Sequence, residues 1–293
     1  MALAVAVIAG VLWFTGDRTW VALKRPGVIP VVVAGAVIHG LQRFARIRKW
    51  AAMLVGTELE RHSWRYLLRI QFIGLLANLI VPVSEALKVW AVARDRHSAW
   101  LASKSLAADL CIHTSAVGVF GVIGCAITSL TQPVRSPIWW AAVGVTVVPL
   151  VVVAVLARDR DSFRLQSAPV LGWTIAEAIC QVAIYTVAMR VVGAEFPFFM
   201  SLALASLVYV SDLVMLTPAG LGLREALFAL VFAGVSNAPS ELGVAAGLLI
   251  SMMLFLTAAV GGAIAMLVPD NSTRDAAASD AAAPGVSTRR RER

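Results

Sequence analysis

Apolar residues along this chain come in long blocks, not in strict alternation and not in a narrow helical stripe. The blocks cover about 1–14, 28–41, 66–93, 105–130, 138–157, 169–192, 197–235 and 242–268, with short charged stretches between them. Several are long enough to cross a hydrocarbon core about 30 Å thick. In lipid every backbone polar group must be satisfied internally, which leaves helices or a closed barrel. The blocks lack the alternating period of barrel strands, so the pattern predicts helices. The expected fold is an all-α integral membrane protein, a polytopic helical bundle over 1–268. The first block, Met1 to Phe14, is short and lacks the charged start and small-residue cleavage site of a signal peptide, so it is read as a first helix.

Two blocks are interrupted. The block 66–93 is broken by polar residues and Pro82, and the block 197–235 is broken at Pro218-Ala219-Gly220. Broken helices at membrane depth are tolerated only when buried in protein or lining a wet cavity, and in transporters they mark the substrate site.

Composition agrees with the pattern. Apolar residues make up 59% and charged residues 14%, against about 45–50% and about 25% in a soluble domain. The mean hydropathy is +0.82. The formal charge of +8 is concentrated in connecting stretches and the tail, which is a topology signal and gives no reason to expect a nucleic-acid partner. The stretch 42–65 holds Arg43, Arg46, Arg48, Lys49, Arg61 and Arg65 and reads as a basic loop. That loop, the stretch with Arg94, Arg96 and Lys104, the stretch with Arg158, Arg160 and Arg164, and the tail are expected on the cytoplasmic side of the cell membrane. The stretch with Arg18, Lys24 and Arg25 falls outside in this scheme and fits it least well. The tail over 269–293 is rich in Ala, Ser and Asp and ends in an arginine cluster. It has too little apolar material to pack and is expected to be disordered. Parity then requires 66–93 to enter and leave from one side, turning at Pro82, while 197–235 can mirror it from the other. The expectation is two re-entrant hairpins of opposite orientation, an inverted-repeat arrangement.

Polar chemistry gathers at the two breaks. Around the first stand Asn78, Ser84, Glu85 and Lys88; Glu85 and Lys88 are three apart and can pair on one helical face. The bland alternative has Lys88 snorkelling from the interface. Around the second, Thr217-Pro218-Ala219-Gly220-Leu221-Gly222-Leu223-Arg224-Glu225 joins two apolar runs. A half-helix starting near Leu221 would aim its N-terminal amides into the break, a setting that attracts anions. Arg224 adds a forked donor suited to phosphate, and Glu225 can hold that arginine. The alternative is a structural ion pair on an ordinary outer turn. Asp109, Glu177 and Asp212 also fall inside apolar runs and must face the bundle interior, a wet cavity or a cation. His39 and His113 are each isolated and read as structural. Gly118, Gly121 and Gly124, and Gly261-Gly262, predict close helix contacts. Cys111, Cys125 and Cys180 lie in apolar runs and give neither a disulfide framework nor a metal site. No nucleotide, zinc or nucleophile motif appears, so no cofactor and no enzymatic activity are expected.

At the two breaks the chain resembles the transmembrane region of lysylphosphatidylglycerol synthases, the flippase-like membrane proteins. Pro218-Ala219-Gly220-Leu221-Gly222-Leu223-Arg224-Glu225 is similar to that family's Pro-Gly-Gly-x-Gly-x-Arg-Glu signature, with Ala219 in place of the commoner glycine. Asn78, Pro82, Glu85 and Lys88 resemble its Asn, Pro, Gly-Glu, Arg/Lys motif, with Ser84 where glycine is usual and a shorter Pro-to-Glu spacing. The resemblance implies movement of lipids with charged or glycosylated head groups between leaflets. It makes Asn78, Glu85, Lys88, Asp212, Pro218, Gly220, Gly222, Arg224 and Glu225 the candidate substrate-binding residues. Full-length synthases add a soluble aminoacyl-transferase domain, and aminoacyl transfer is not expected of this chain. Three readings stand: a lipid translocase, a secondary transporter of a small polar solute, or a non-transporting partner of a lipid- or glycan-synthesis enzyme.

Overall fold

The apolar blocks fold as helices, and no strand occurs among the described residues. The computed structural model describes residues 19, 21–79, 83–93, 96–131, 134, 136–156, 168–194, 196–213, 222–236 and 239–267. The helices are α1 (Val28–Met53), α2 (Trp64–Ala77), α3 (Ser84–Val92), α4 (Arg96–Ser129), α5 (Ser136–Leu156), α6 (Ala168–Val191), α7 (Phe198–Leu213), α8 (Leu223–Ser236) and α9 (Ser240–Leu267). Five of them, α1, α4, α5, α6 and α9, are long and apolar enough to cross a membrane. The expectations for Met1–Phe14, Pro82, Pro218, Gly220 and the tail fall outside the described residues.

The outer surface is apolar where a soluble protein would be charged. On α5, Trp140, Val147, Val148, Leu150, Val151 and Val155 are exposed. A helix that is apolar all round has no polar face to offer water and belongs in lipid. Inside, small residues set the helix spacing. A side chain on Gly124 would lie 2.5 Å from the Phe199 carbonyl oxygen of α7, and one on Gly118 would lie 2.6 Å from Thr146 Oγ1 of α5. Gly261 and Gly262 of α9 receive Phe72 and Leu76 of α2 in the same way. At the end of α9, Arg69 Nε donates to the Ala265 carbonyl at 2.9 Å, satisfying a helix-terminal acceptor.

Both interrupted blocks form pairs of short helices. Ser63 caps α2 by accepting from Tyr66 N. The chain then doubles back: Tyr66 Oη donates to Ala91 O at 2.9 Å, Lys88 Nζ donates to Gln71 Oε1 at 3.2 Å, and Gly74 faces Ser84. That register is antiparallel. In the second pair, Phe196, just before α7, rings edge-on against Phe232 near the end of α8 at 4.9 Å. This chain segment also returns on itself.

One expectation needs correction. The basic stretch 42–65 is not a loop: α1 continues to Met53, and Arg46 and Lys49 are buried within it. Their charge is spent on partners inside the bundle, so they are not loop residues facing solvent. Likewise α4 begins at Arg96, ahead of the expected start at 105, and carries Lys104 in a largely buried position.

Candidate functional site

A polar stripe on α1 organises the site. His39, Gln42, Arg43, Arg46 and Lys49 recur every three or four residues and so share one face of the helix. That face meets α3, α4 and α6. Glu177 of α6 lies 2.6 Å from Lys49 Nζ, which lies 2.9 Å from Asp109 of α4. Asp109 accepts from Arg46 Nε at 2.8 Å, and Arg46 reaches Glu85 of α3 at 3.4 Å. Glu85 in turn lies 2.5 Å from Lys88. The chain of charges alternates in sign from end to end. An isolated ion in this interior would cost several kcal/mol, and each carboxylate here sits against a cation that offsets it. Gln42 and Gln181 extend the contact by a side-chain hydrogen bond between α1 and α6. His113 places Nδ1 3.5 Å from Glu177 and sets its ring edge-on to Tyr209 of α7.

The second motif is built at the start of α8. Gly222 has φ of +87°, a left-handed conformation that costs little only without a Cβ. Its amide donates to Glu225 Oε2 at 2.6 Å, the half of a capping box in which the third helical residue reaches back to the cap. Glu225 Oε1 accepts from Ser251 Oγ at 2.8 Å, and Ser251 Oγ accepts from Arg224 Nη1 at 2.9 Å. Arg224 and Glu225 are thus joined through Ser251 of α9. Gly247 admits this turn, since a side chain there would stand 2.9 Å from Glu225 Cα. The half-helix begins at Leu223 rather than near Leu221. One amide at its N-terminus, that of Gly222, is taken by the protein's own carboxylate, and Arg224 adds its side chain to the cavity wall.

Both motifs open into one cavity of about 70 Å³. Asn78, Ser84 and Glu85 line it from the first break and Arg224 from the second. His39, Gln42, Arg43 and Arg46 line it from α1, and Gln71, His113, Glu177, Gln181 and Tyr209 complete the polar wall. Among the described residues, Asn78 Oδ1, Gln42 Oε1, His39 Nδ1 and Arg46 Nη2 are buried without a hydrogen-bond partner. Buried polar atoms of this kind call for water or a ligand. Across Arg43, Arg46, Lys49, Lys88 and Arg224 on one side and Glu85, Asp109, Glu177 and Glu225 on the other, positive charge is in excess by one. The cavity is therefore suited to an anion that also bears hydroxyl or amide groups.

Comparison with known proteins bears on the same segment. The family model described as the lysylphosphatidylglycerol synthase TM region matches residues 156–262. The chain is similar to that family over this segment, which is less than half of its 293 residues. No curated protein and no solved structure gives a significant match. The matched segment spans the end of α5, all of α6, α7 and α8, and most of α9. It contributes Glu177, Gln181, Tyr209, Arg224 and Ser251, while Arg43, Arg46, Asn78, Glu85 and Asp109 come from outside the match.

Of the residues expected from sequence, the structure brings Asn78, Glu85 and Arg224 onto the cavity wall. Lys88 and Glu225 stand behind it, holding Glu85 and the α8 turn. Gly222 shapes that turn. Asp212 belongs to α7, but its side chain, like Pro218 and Gly220, lies outside the described residues. Arg43, Arg46, His39, Gln42 and Gln181 were not expected at a site. For the four on α1 the signal was available as the three-four spacing, obscured by reading 42–65 as a charged loop; Gln181 is on α6 and is found through its hydrogen bond with Gln42. No trio of His, Cys, Asp or Glu able to hold a metal occurs among the described residues.

Proposed function

We propose that the chain is a lipid translocase that moves a phospholipid or glycolipid with a charged head group between leaflets of the cell membrane, without itself being an enzyme. The observation that carries this reading is the convergence of Arg43, Arg46 and Arg224 with Asn78 and Glu85 on one cavity walled by both helix pairs. Forked guanidinium donors suit a phosphate oxygen pair, and the amides of Gln42, Gln71, Asn78 and Gln181 suit head-group hydroxyls. The match of residues 156–262 to the lysylphosphatidylglycerol synthase TM region supports the same substrate class. In this reading the α2–α3 and α7–α8 pairs are re-entrant hairpins of opposite orientation, and the stretch after α9 is cytoplasmic. A cavity of about 70 Å³ holds only a few waters. A head group is admitted when one helix pair swings away from the bundle, and Glu85, paired with both Arg46 and Lys88, releases Arg46 as the anion arrives.

The test is leaflet transfer in proteoliposomes, read as loss of fluorescence of labelled phosphatidylglycerol to a membrane-impermeant quencher. Transfer above that of protein-free vesicles, lost with Arg46→Gln and Arg224→Gln, is expected. Transfer of a soluble sugar phosphate instead would favour the solute transporter. Absence of any transport by well-folded protein would favour the non-transporting partner.

A further inference from the structure

A second cavity, of about 450 Å³, lies beside the first and is of opposite character. It is formed by α1, α2 and α9, three of the helices that line the polar cavity. Its walls are Val33, Val37, Phe72 and Val260 with the small residues Gly40 and Gly261. The hydroxyl at its edge, Thr257 Oγ1, is spent internally on the carbonyls of Ala36 and Met253, both at 2.9 Å. An apolar cavity with no polar group to offer stays dry. Its rim residues Val33, Val37 and Val260 are about half exposed, so it opens sideways onto the apolar surface of the bundle.

The two cavities lie one helical turn apart along the α1–α9 seam, Ala36 and Thr257 lining one and His39 and Leu254 the other. Ala36 meets Thr257 across it through the hydrogen bond above. Along α1, His39 stands one turn and Arg43 two turns beyond Ala36, and one turn back along α9 stands Leu254, all on the polar cavity. The helical rise places Val33 and Arg46 about 20 Å apart along α1. The seam therefore runs from hydrocarbon-facing groove to arginine cluster without crossing a helix. We propose that this groove is the hydrocarbon-chain subsite of the transported molecule, holding one acyl chain of an anionic glycerophospholipid while its phosphate sits at Arg43, Arg46 and Arg224. This rests on the translocase reading and adds to it: the substrate keeps a chain engaged in the groove as its head group enters, so a soluble phosphate of the same head-group chemistry is bound more weakly.

Gly40 makes the test clean. A side chain built there meets nothing within 4 Å, so Gly40→Phe fills the groove without displacing backbone, and it exchanges a poor helix former for a better one. The probe is phosphatidylglycerol carrying a photoreactive diazirine near the end of one acyl chain, added to the purified full chain in detergent, with the same modified phosphatidylcholine as control. Cross-linked peptides are read by mass spectrometry, and binding of sn-glycerol 3-phosphate is measured in parallel. Expected are adducts on Val33, Val37 or Val260 with phosphatidylglycerol, reduced at least fivefold by Gly40→Phe and by Arg224→Gln. Soluble glycerol phosphate should bind at least tenfold more weakly and be insensitive to Gly40→Phe. Adducts on the groove equal for both lipids and indifferent to Arg224→Gln would mean bulk lipid occupancy and would overturn the proposal. Loss of binding with Arg224→Gln but not with Gly40→Phe would overturn the groove alone and leave the translocase reading standing.

Discussion

Replacing Lys49 by Met isolates the energetics of the buried charge chain. The ammonium is fully buried and lies 2.9 Å from Asp109 and 2.6 Å from Glu177. Met fills nearly the same volume, so packing is retained and charge is lost. Asp109 keeps Arg46 at 2.8 Å, but Glu177 is left with only the imidazole of His113 at 3.5 Å. Two magnitudes compete. Polar contacts between membrane helices average about 0.6 kcal/mol, whereas stranding one charge of a buried pair costs about 3–5 kcal/mol. Glu177 is 1% exposed and has no second Lys or Arg within ion-pair distance among the described residues, so the larger figure applies. Lys49→Met should destabilise by about 3 kcal/mol or more, roughly a hundredfold or greater shift toward the unfolded form. The double variant Lys49→Met with Glu177→Gln, which removes both ends, should recover most of that loss. The assay is unfolding of the purified protein in mixed micelles by titration with a denaturing detergent, followed by tryptophan fluorescence. A cost of about 0.6 kcal/mol or less for the single variant, or no recovery in the double one, would refute the account of the chain as mutually neutralised ions.

Arg224→Lys keeps the charge but loses the fork that reaches Ser251. It should lower transport at least tenfold while leaving expression and detergent-solution behaviour unchanged. Gly124→Leu should destabilise by about 1–3 kcal/mol through overpacking, because its Cβ would meet Phe199 O at 2.5 Å. Gly144→Leu, where a Cβ meets nothing within 4 Å, should stay within about 1 kcal/mol of the parent in the same unfolding assay. Single cysteines at Ser63 and Ser279, in a background without the native cysteines, should resist a membrane-impermeant reagent applied to intact cells. Rapid labelling of either would overturn the orientation proposed here.

The fold class was legible because transmembrane helices announce themselves by length and composition. The spans expected at 138–157, 169–192 and 242–268 begin and end within two residues of α5, α6 and α9. The ends of α1 and α4 were not legible for a physical reason. A helix that carries its charges on one buried face violates the rule that charge marks the end of a span, and Arg46, Lys49 and Lys104 do that. The helix breaks near 78–84 and before 223 were readable from proline and glycine chemistry. The partner of Lys49 was half readable: Asp109 and Glu177 each demanded company, but only the α1 stripe, aligned by tertiary packing, identifies whose. The role of Glu225 also needed coordinates. Its position three residues after Gly222 fits a capping box, yet the same spacing allowed a direct pair with Arg224.

The central claim is that the two helix breaks build one site for an anionic lipid head group. It is tested most directly by an experimental structure of the protein in a nanodisc containing phosphatidylglycerol. The account predicts head-group phosphate density in the cavity, within hydrogen-bonding distance of Arg224 and of at least one of Arg43 and Arg46. A well-resolved cavity containing water alone, with lipid head groups confined to the outer surface of the bundle, would contradict it.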